Sequence, residues 1–167
     1  EFEDKNWILE AAGEPNPSLL SSVYDKTQLD VKDDRFGIYK FADWLPLHRI
    51  LEGSSAPITY KSEGLASMLG LKNLYITFSG YWPEKEALMR TCSFKETEAY
   101  SVCARMRPEQ DEILVVASAG NTARAFARVC SDNRIPLLLS VPYDTIDALW
   151  FDTPLDDCVT LISPPPG

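Results

Sequence analysis

Residues 112–141 constrain the fold more than any other part of the chain. Glu112-Ile113-Leu114-Val115-Val116-Ala117 is a short, almost uninterrupted apolar run rich in β-branched residues, which reads as a buried strand rather than as a half-exposed alternating one. Ser118-Ala119-Gly120-Asn121 is tight-turn chemistry, and residues 122–131 read as a helix. Residues 135–141 return as a strand, with Pro136 among its first residues, where a missing N–H is tolerated. Strand, helix and strand in that order make a βαβ unit, because a crossover helix is what lets two neighbouring strands run parallel. The expected class is therefore α/β with a mainly parallel sheet.

The rest of the chain is less regular. Residues 1–24 mix one helical patch, 7–12, with the breakers Gly13, Pro15 and Pro17, and read as a loop-rich opening segment. Residues 37–51 carry a helix-like apolar pattern interrupted by Pro46, and Gly53-Ser54-Ser55 marks a turn. A helix is expected over 63–69 with Gly70 as its stop, then a strand over 74–78 and a loop over 79–91. A second helix is expected over 96–106 with Ser93 as its cap, which puts Lys95 near a helix start.

Composition narrows the function classes. With 45% hydrophobic residues in 167, the chain buries a real core in one or two small domains. A net charge of −9 leaves no surplus of Lys and Arg for a nucleic-acid surface. Cys92, Cys103, Cys130 and Cys158 have neither zinc-site nor disulfide-framework spacing, and are expected as reduced thiols. The acidic groups Asp30, Asp33 and Asp34, and Asp152, Asp156 and Asp157, lack cation-ligand spacing and read as solvated turns, so no metal is expected. No apolar run is long enough to span a membrane and Glu1 to Trp7 shows no signal region, so a cytoplasmic protein without a membrane partner is expected. A first residue Glu1 and a last stretch Ser163-Pro164-Pro165-Pro166-Gly167 suggest a fragment of a longer protein.

Two places point to chemistry. The turn from Ala117 to Thr122 sits where a strand's carboxyl end meets a helix's amino end, the position at which open α/β sheets bind ligands, and its N–H groups, Ser118 and Thr122 suit an anion. Lys95 stands beside Phe94 rather than in a charge run; a lysine serves as a nucleophile when its amine is neutral. His48, the one histidine, reads as scaffold, and Tyr81 and Trp82 as loop packing or pocket walls. No G-x-G-x-x-G or P-loop supports a dinucleotide- or nucleotide-binding domain, the competing reading of a βαβ unit.

Thr91-Cys92-Ser93-Phe94-Lys95, followed downstream by Ala117-Ser118-Ala119-Gly120-Asn121-Thr122, resembles the paired signature of the fold-type II pyridoxal 5'-phosphate (PLP) enzymes, among them threonine and cysteine synthases. Ala56-Pro57-Ile58-Thr59-Tyr60-Lys61-Ser62-Glu63 and Leu69-Gly70-Leu71-Lys72-Asn73-Leu74-Tyr75-Ile76 extend the resemblance, which covers about residues 24–163. Phe78-Ser79-Gly80-Tyr81-Trp82-Pro83-Glu84-Lys85 and the phrase Cys92 to Glu96 are similar to the archaeal cysteate synthase branch of that family. Threonine synthases usually follow the lysine with Asp-Arg; here Glu96 and Thr97 follow.

The resemblance implies parts of two α/β domains: after the opening segment 1–24, residues 25–106 belong to the large cofactor domain with the Schiff-base lysine, and 107–167 to the small domain with the turn. It implies that Lys95 binds PLP covalently, that Asn121 hydrogen-bonds the ring's 3'-oxygen, and that Ser118, Ala119, Gly120 and Thr122 hold the substrate carboxylate. The implied reaction is β-replacement through an aminoacrylate, with O-phosphoserine and sulfite giving cysteate and phosphate. A threonine synthase-like or other β-replacement or elimination is the alternative. The phosphate loop and the partner of the pyridine nitrogen would come from a carboxyl-terminal half or partner chain, and a homo-oligomer is implied. On its own the chain is expected to bind PLP weakly, or to be an inactive subunit.

Overall fold

The computed structural model describes residues 10, 11, 13, 15, 16, 19–109 and 111–165. The helical patch expected over 7–12 lies outside the described residues except for Glu10 and Ala11, and the chain's last two residues also lie outside them.

The first regular element among the described residues is a 3₁₀ helix, Gly37–Trp44. It stops because Leu45 precedes Pro46 and is driven to extended backbone, φ −110° and ψ 140°. Gly37 starts it with φ +58°, where a Cβ would stand 2.6 Å from the backbone nitrogen of Ser55, so only glycine lets the Ser54-Ser55 segment lie against it. Tyr39 is buried from this helix and its hydroxyl donates to the Tyr100 carbonyl at 3.3 Å.

An antiparallel pair follows. Strand β1, Ile58–Lys61, is joined through the short helix α1, Glu63–Met68, to β2, Tyr75–Phe78, with Ile58 opposite Phe78 and Thr59 opposite Thr77. Gly70, at φ +67°, ends the α1 region as expected. The stretch expected as loop contains a small hairpin, β3 at Tyr81–Trp82 and β4 at Ala87–Leu88. Its turn is a 3₁₀ turn, Pro83–Lys85, closed by Glu86 in left-handed backbone. Trp82 packs edge-on against Tyr60 and Phe78, ring centroids 5.9 and 6.4 Å away, which joins the hairpin to the first pair.

The expected βαβ unit is present. Helix α2, Lys95–Arg105, precedes β5, Leu114–Ala117; then come α3, Asn121–Asp132, and β6, Leu137–Ser140, parallel to β5. A third parallel strand, β7 at Val159–Ile162, adds to β6, giving the order β5-β6-β7. The class is thus mixed α/β with a three-stranded parallel sheet. Small residues bring α2 and α3 close: Ala99, Cys103 and Ala104 meet Ala123, Ala127 and Cys130 in one buried cluster that also takes in Leu137, Leu139 and Val141 of the β6 region. Cys103 and Cys130 are free thiols with sulfurs 3.7 Å apart. Their contact and burial push the Cys130 thiol far above its ordinary range, so it packs rather than reacts.

One expectation needs correcting. Strand β5 is not buried on both faces: Leu114 and Val116 pack toward the core, whereas Val115 is 63% exposed. The sheet is covered by α3 on one side, and the apolar run of β5 serves two different surroundings.

Candidate active site

Two segments carry the sequence-predicted residues, and the structure brings them together through a third. The first is the turn after β5. Its Ser118 N–H donates to the Ser140 carbonyl at 3.1 Å, so the parallel ladder continues into the turn. The Gly120 N–H points at Ser118 Oγ at 3.5 Å, and α3 starts at Asn121. Nothing lies within 4 Å of where a Cβ of Gly120 would be, so the backbone is open to close approach. Ala119, Gly120 and Asn121 are exposed, and Ser118 and Thr122 are half-buried. A cavity of about 570 Å³ opens at this carboxyl edge of the sheet, lined by Ser118, Ala119, Ser140, Tyr143 and Asp144 among others. Lys95, Gly120, Asn121 and Thr122 are not in its lining.

The second segment is the loop from Thr91 to Phe94 that launches α2. Its organiser is Glu96, 2% exposed. One carboxylate oxygen accepts from the Thr91 N–H (2.8 Å) and the Thr91 hydroxyl (2.9 Å); the other accepts from the Ser55 hydroxyl (2.8 Å). A buried carboxylate survives where every lone-pair direction in use meets a donor, and the start of a helix adds its favourable dipole. Cys92 takes left-handed backbone, φ +51°, to make the turn. Ser93 accepts from the Lys95 N–H at 3.3 Å, which gives it the capping contact expected of it although Phe94 occupies the cap position.

Lys95 is half-buried on the first turn of α2. Its Nζ pairs with Glu98 Oε2 at 2.5 Å and sits 5.3 Å from the centre of the Phe94 ring. That ammonium must leave Glu98 before its nitrogen can attack a carbonyl. Arg124 of α3 supplies the bridge between the segments. It donates from Nη2 to the Thr91 carbonyl and from Nη1 to Asn121 Oδ1 at 3.3 Å, with its guanidinium carbon 3.9 Å from the Trp150 ring centre.

A charged clamp holds the same loop from the other side. Arg90 donates to Asp152 (2.6 Å), Asp132 (2.9 Å) and Thr153 Oγ1 (3.0 Å), and Arg128 donates to Thr153 and Asp132. Asp152 is thus held by an ion pair, not left to solvate a turn as the sequence suggested. Burial works to raise its carboxyl, but the hydrogen bond and charge of Arg90 and the charge of Arg128 outweigh it and hold it below the usual carboxylate range. A depressed folded-state value stabilises the protein above the unfolded value and is lost as pH falls through the folded one. The melting-temperature gap between wild type and Arg90→Gln is therefore expected to hold steady near neutral pH and to shrink as pH falls below about 4. Thermal melts across that range check it; a gap independent of pH contradicts it.

Glu96, Arg124 and Arg90 carry this geometry; the sequence reading named Glu96 only for following the lysine and did not single out the two arginines. His48 is exposed and engages through its backbone N–H to the Ala104 carbonyl at 2.9 Å. Among the described residues, no helix is long and apolar enough to cross a membrane.

The chain is 45% identical over 150 residues to a cysteate synthase of Methanosarcina mazei, covering 90% of this chain and 36% of that protein. It is 51% identical over 135 residues to one of Methanococcoides burtonii (80% and 32%), and 56% identical over 116 residues to one of Methanothrix thermoacetophila (68% and 28%). The chain thus spans about a third of the length of the curated relatives it matches. No family model matches it, and no solved structure does.

Proposed function

We propose, from the premise that this chain is a relative of the cysteate synthases along most of its own length, that it supplies the lysine and the carboxylate-binding turn of a PLP-dependent β-replacement site. The observation that carries the reading is the Arg124 bridge, which ties the Lys95 loop and the Asn121 turn into one unit. The residues present fit the aldehyde edge of PLP. Lys95 is a primary amine a third exposed, and Asn121 turns its carbonyl oxygen to Arg124, which leaves its NH₂ on the other side as a donor.

When bound, PLP draws electrons from the substrate's Cα, so that a group on Cβ can leave and be replaced. This chain's residues do the rest. Lys95 would hold the cofactor through its Nζ, and its free amine would take the proton from the substrate's Cα. Asn121 would donate to the ring's 3'-oxygen. The Ser118 to Thr122 turn holds the substrate carboxylate through Ala119 and Gly120 N–H groups and the Ser118 and Thr122 hydroxyls, which fixes the Cα–H bond relative to the ring. The proposed substrates are O-phosphoserine and sulfite, and the products cysteate and phosphate. Residues 25–106 and 107–167 would be parts of the large and small domains of a fold-type II enzyme, completed by a carboxyl-terminal polypeptide that binds the cofactor phosphate, in a cytoplasmic homo-oligomer.

The test is product analysis with PLP, O-phosphoserine and sulfite, for the chain alone and mixed with the remaining part of the Methanosarcina mazei protein. Cysteate and phosphate in equal amounts are expected from the mixture. Phosphate without cysteate would replace β-replacement by elimination, and neither product would refute the assignment.

A further inference from the structure

Arg124 lies three residues after Asn121 on α3, so the two side chains share one side of the first turn. Its guanidinium is braced on the Trp150 ring, and its Nε is buried without a hydrogen-bond partner among the described residues. Only the Nη groups are engaged in hydrogen bonds, one with Asn121 Oδ1 and one with the Thr91 carbonyl. A guanidinium has donors and no acceptor. The carboxamide atom that faces it must therefore be oxygen, which removes the two-fold ambiguity of an asparagine side chain. The Thr91 carbonyl belongs to the loop whose N–H and hydroxyl are already fixed by Glu96.

We propose that Arg124 is a positioning residue: it sets the Asn121 carboxamide with its NH₂ outward and keeps that amide in register with the Lys95 loop. The purpose of that orientation rests on reading Asn121 as the contact to the cofactor's ring oxygen. The orientation itself does not. A flipped amide would present an acceptor to an oxygen that needs a donor, and the arginine disfavours that flip before the cofactor arrives.

Nitrogen-15 NMR of the full chain without cofactor tests the orientation. Two hydrogen bonds and a braced ring slow rotation of the guanidinium, so separate Nη signals are expected for Arg124; a single averaged signal overturns the proposal, with no variant required. In Arg124→Met, which keeps the stem over Trp150, the Asn121 side-chain amide signals are expected to shift, and Arg124→Lys to restore part of that shift. Unchanged amide signals in the methionine variant also overturn it. Loading with PLP, in the mixture with the remaining part of the Methanosarcina mazei protein, tests the purpose: Arg124→Met and Asn121→Ala are expected to move the visible absorption band the same way, with no further movement in the double variant, and additive shifts overturn the coupling. No band in any protein, wild type included, would count against the PLP reading while the NMR result decides the positioning.

Discussion

Glu96→Ala is expected to lower the melting temperature by about 10 °C, the largest loss of stability for any single change in the Lys95 loop. Three donors converge on this carboxylate, and the groups that donate, Thr91 and Ser55, are 4% and 7% exposed. Removing the acceptor strands all three, at about 1–3 kcal/mol for each buried group left without a partner, less whatever water regains in the space vacated. Glu96→Gln separates this from mere packing. Its carbonyl oxygen can accept both Thr91 donors, and its NH₂ can donate to Ser55 Oγ, since a hydroxyl accepts as readily as it donates. The glutamine variant is therefore expected to lose no more than about 1 kcal/mol. Thermal and denaturant unfolding of both variants measure the difference; equal losses would mean that shape rather than hydrogen bonding holds the loop.

Lys95→Ala is expected to reduce turnover by about 10³-fold or more while leaving the fold intact. In the structure its amine makes a surface pair with Glu98, whose partners are 33% and 42% exposed, and lies 5.3 Å from the centre of the Phe94 ring; exposed contacts of this kind contribute little. Lys95→Arg is the sharper control. It retains a cation for Glu98, but a guanidinium does not condense with an aldehyde, so it is expected to be as inactive as alanine. A small primary amine added to the alanine variant is expected to restore part of the rate, because the missing part is then chemical rather than structural. Full activity in the arginine variant would remove Lys95 from the mechanism.

What was legible in the sequence was what local pattern determines. The βαβ unit came out within two or three residues at each boundary, because its apolar runs and its turn are contiguous. Strand β1 and the hairpin β3 with β4 did not: β1 is four residues long and the hairpin strands two each, and each is defined by the strand it pairs with rather than by its own pattern. Strand β7 was missed for the same reason, following a stretch whose acidic residues looked like solvent-facing turn. The exposed Val115 misled in the opposite direction, since a continuous apolar run does not say which of its faces is covered.

The site divides likewise. Lys95 and the Ser118 to Thr122 turn were visible as a pair of motifs; in the structure Arg124 connects Thr91, in the loop before Lys95, to Asn121. Glu96 was not recognisable as an organiser, because an acidic residue in the first turn of a helix is ordinary and Ser55, its second partner, lies 41 residues away. Arg124 was read only as part of the helix over 122–131. Its partners become evident only when α3 is set beside the Thr91 loop.

The central claim, that Lys95 is where PLP attaches, is tested most directly by borohydride reduction of the PLP-loaded protein followed by peptide mapping. A reduced pyridoxyl group on the peptide containing Phe94-Lys95-Glu96, absent in Lys95→Ala, is the result expected. A pyridoxyl group on another lysine, with the Lys95 peptide unmodified, would contradict the claim.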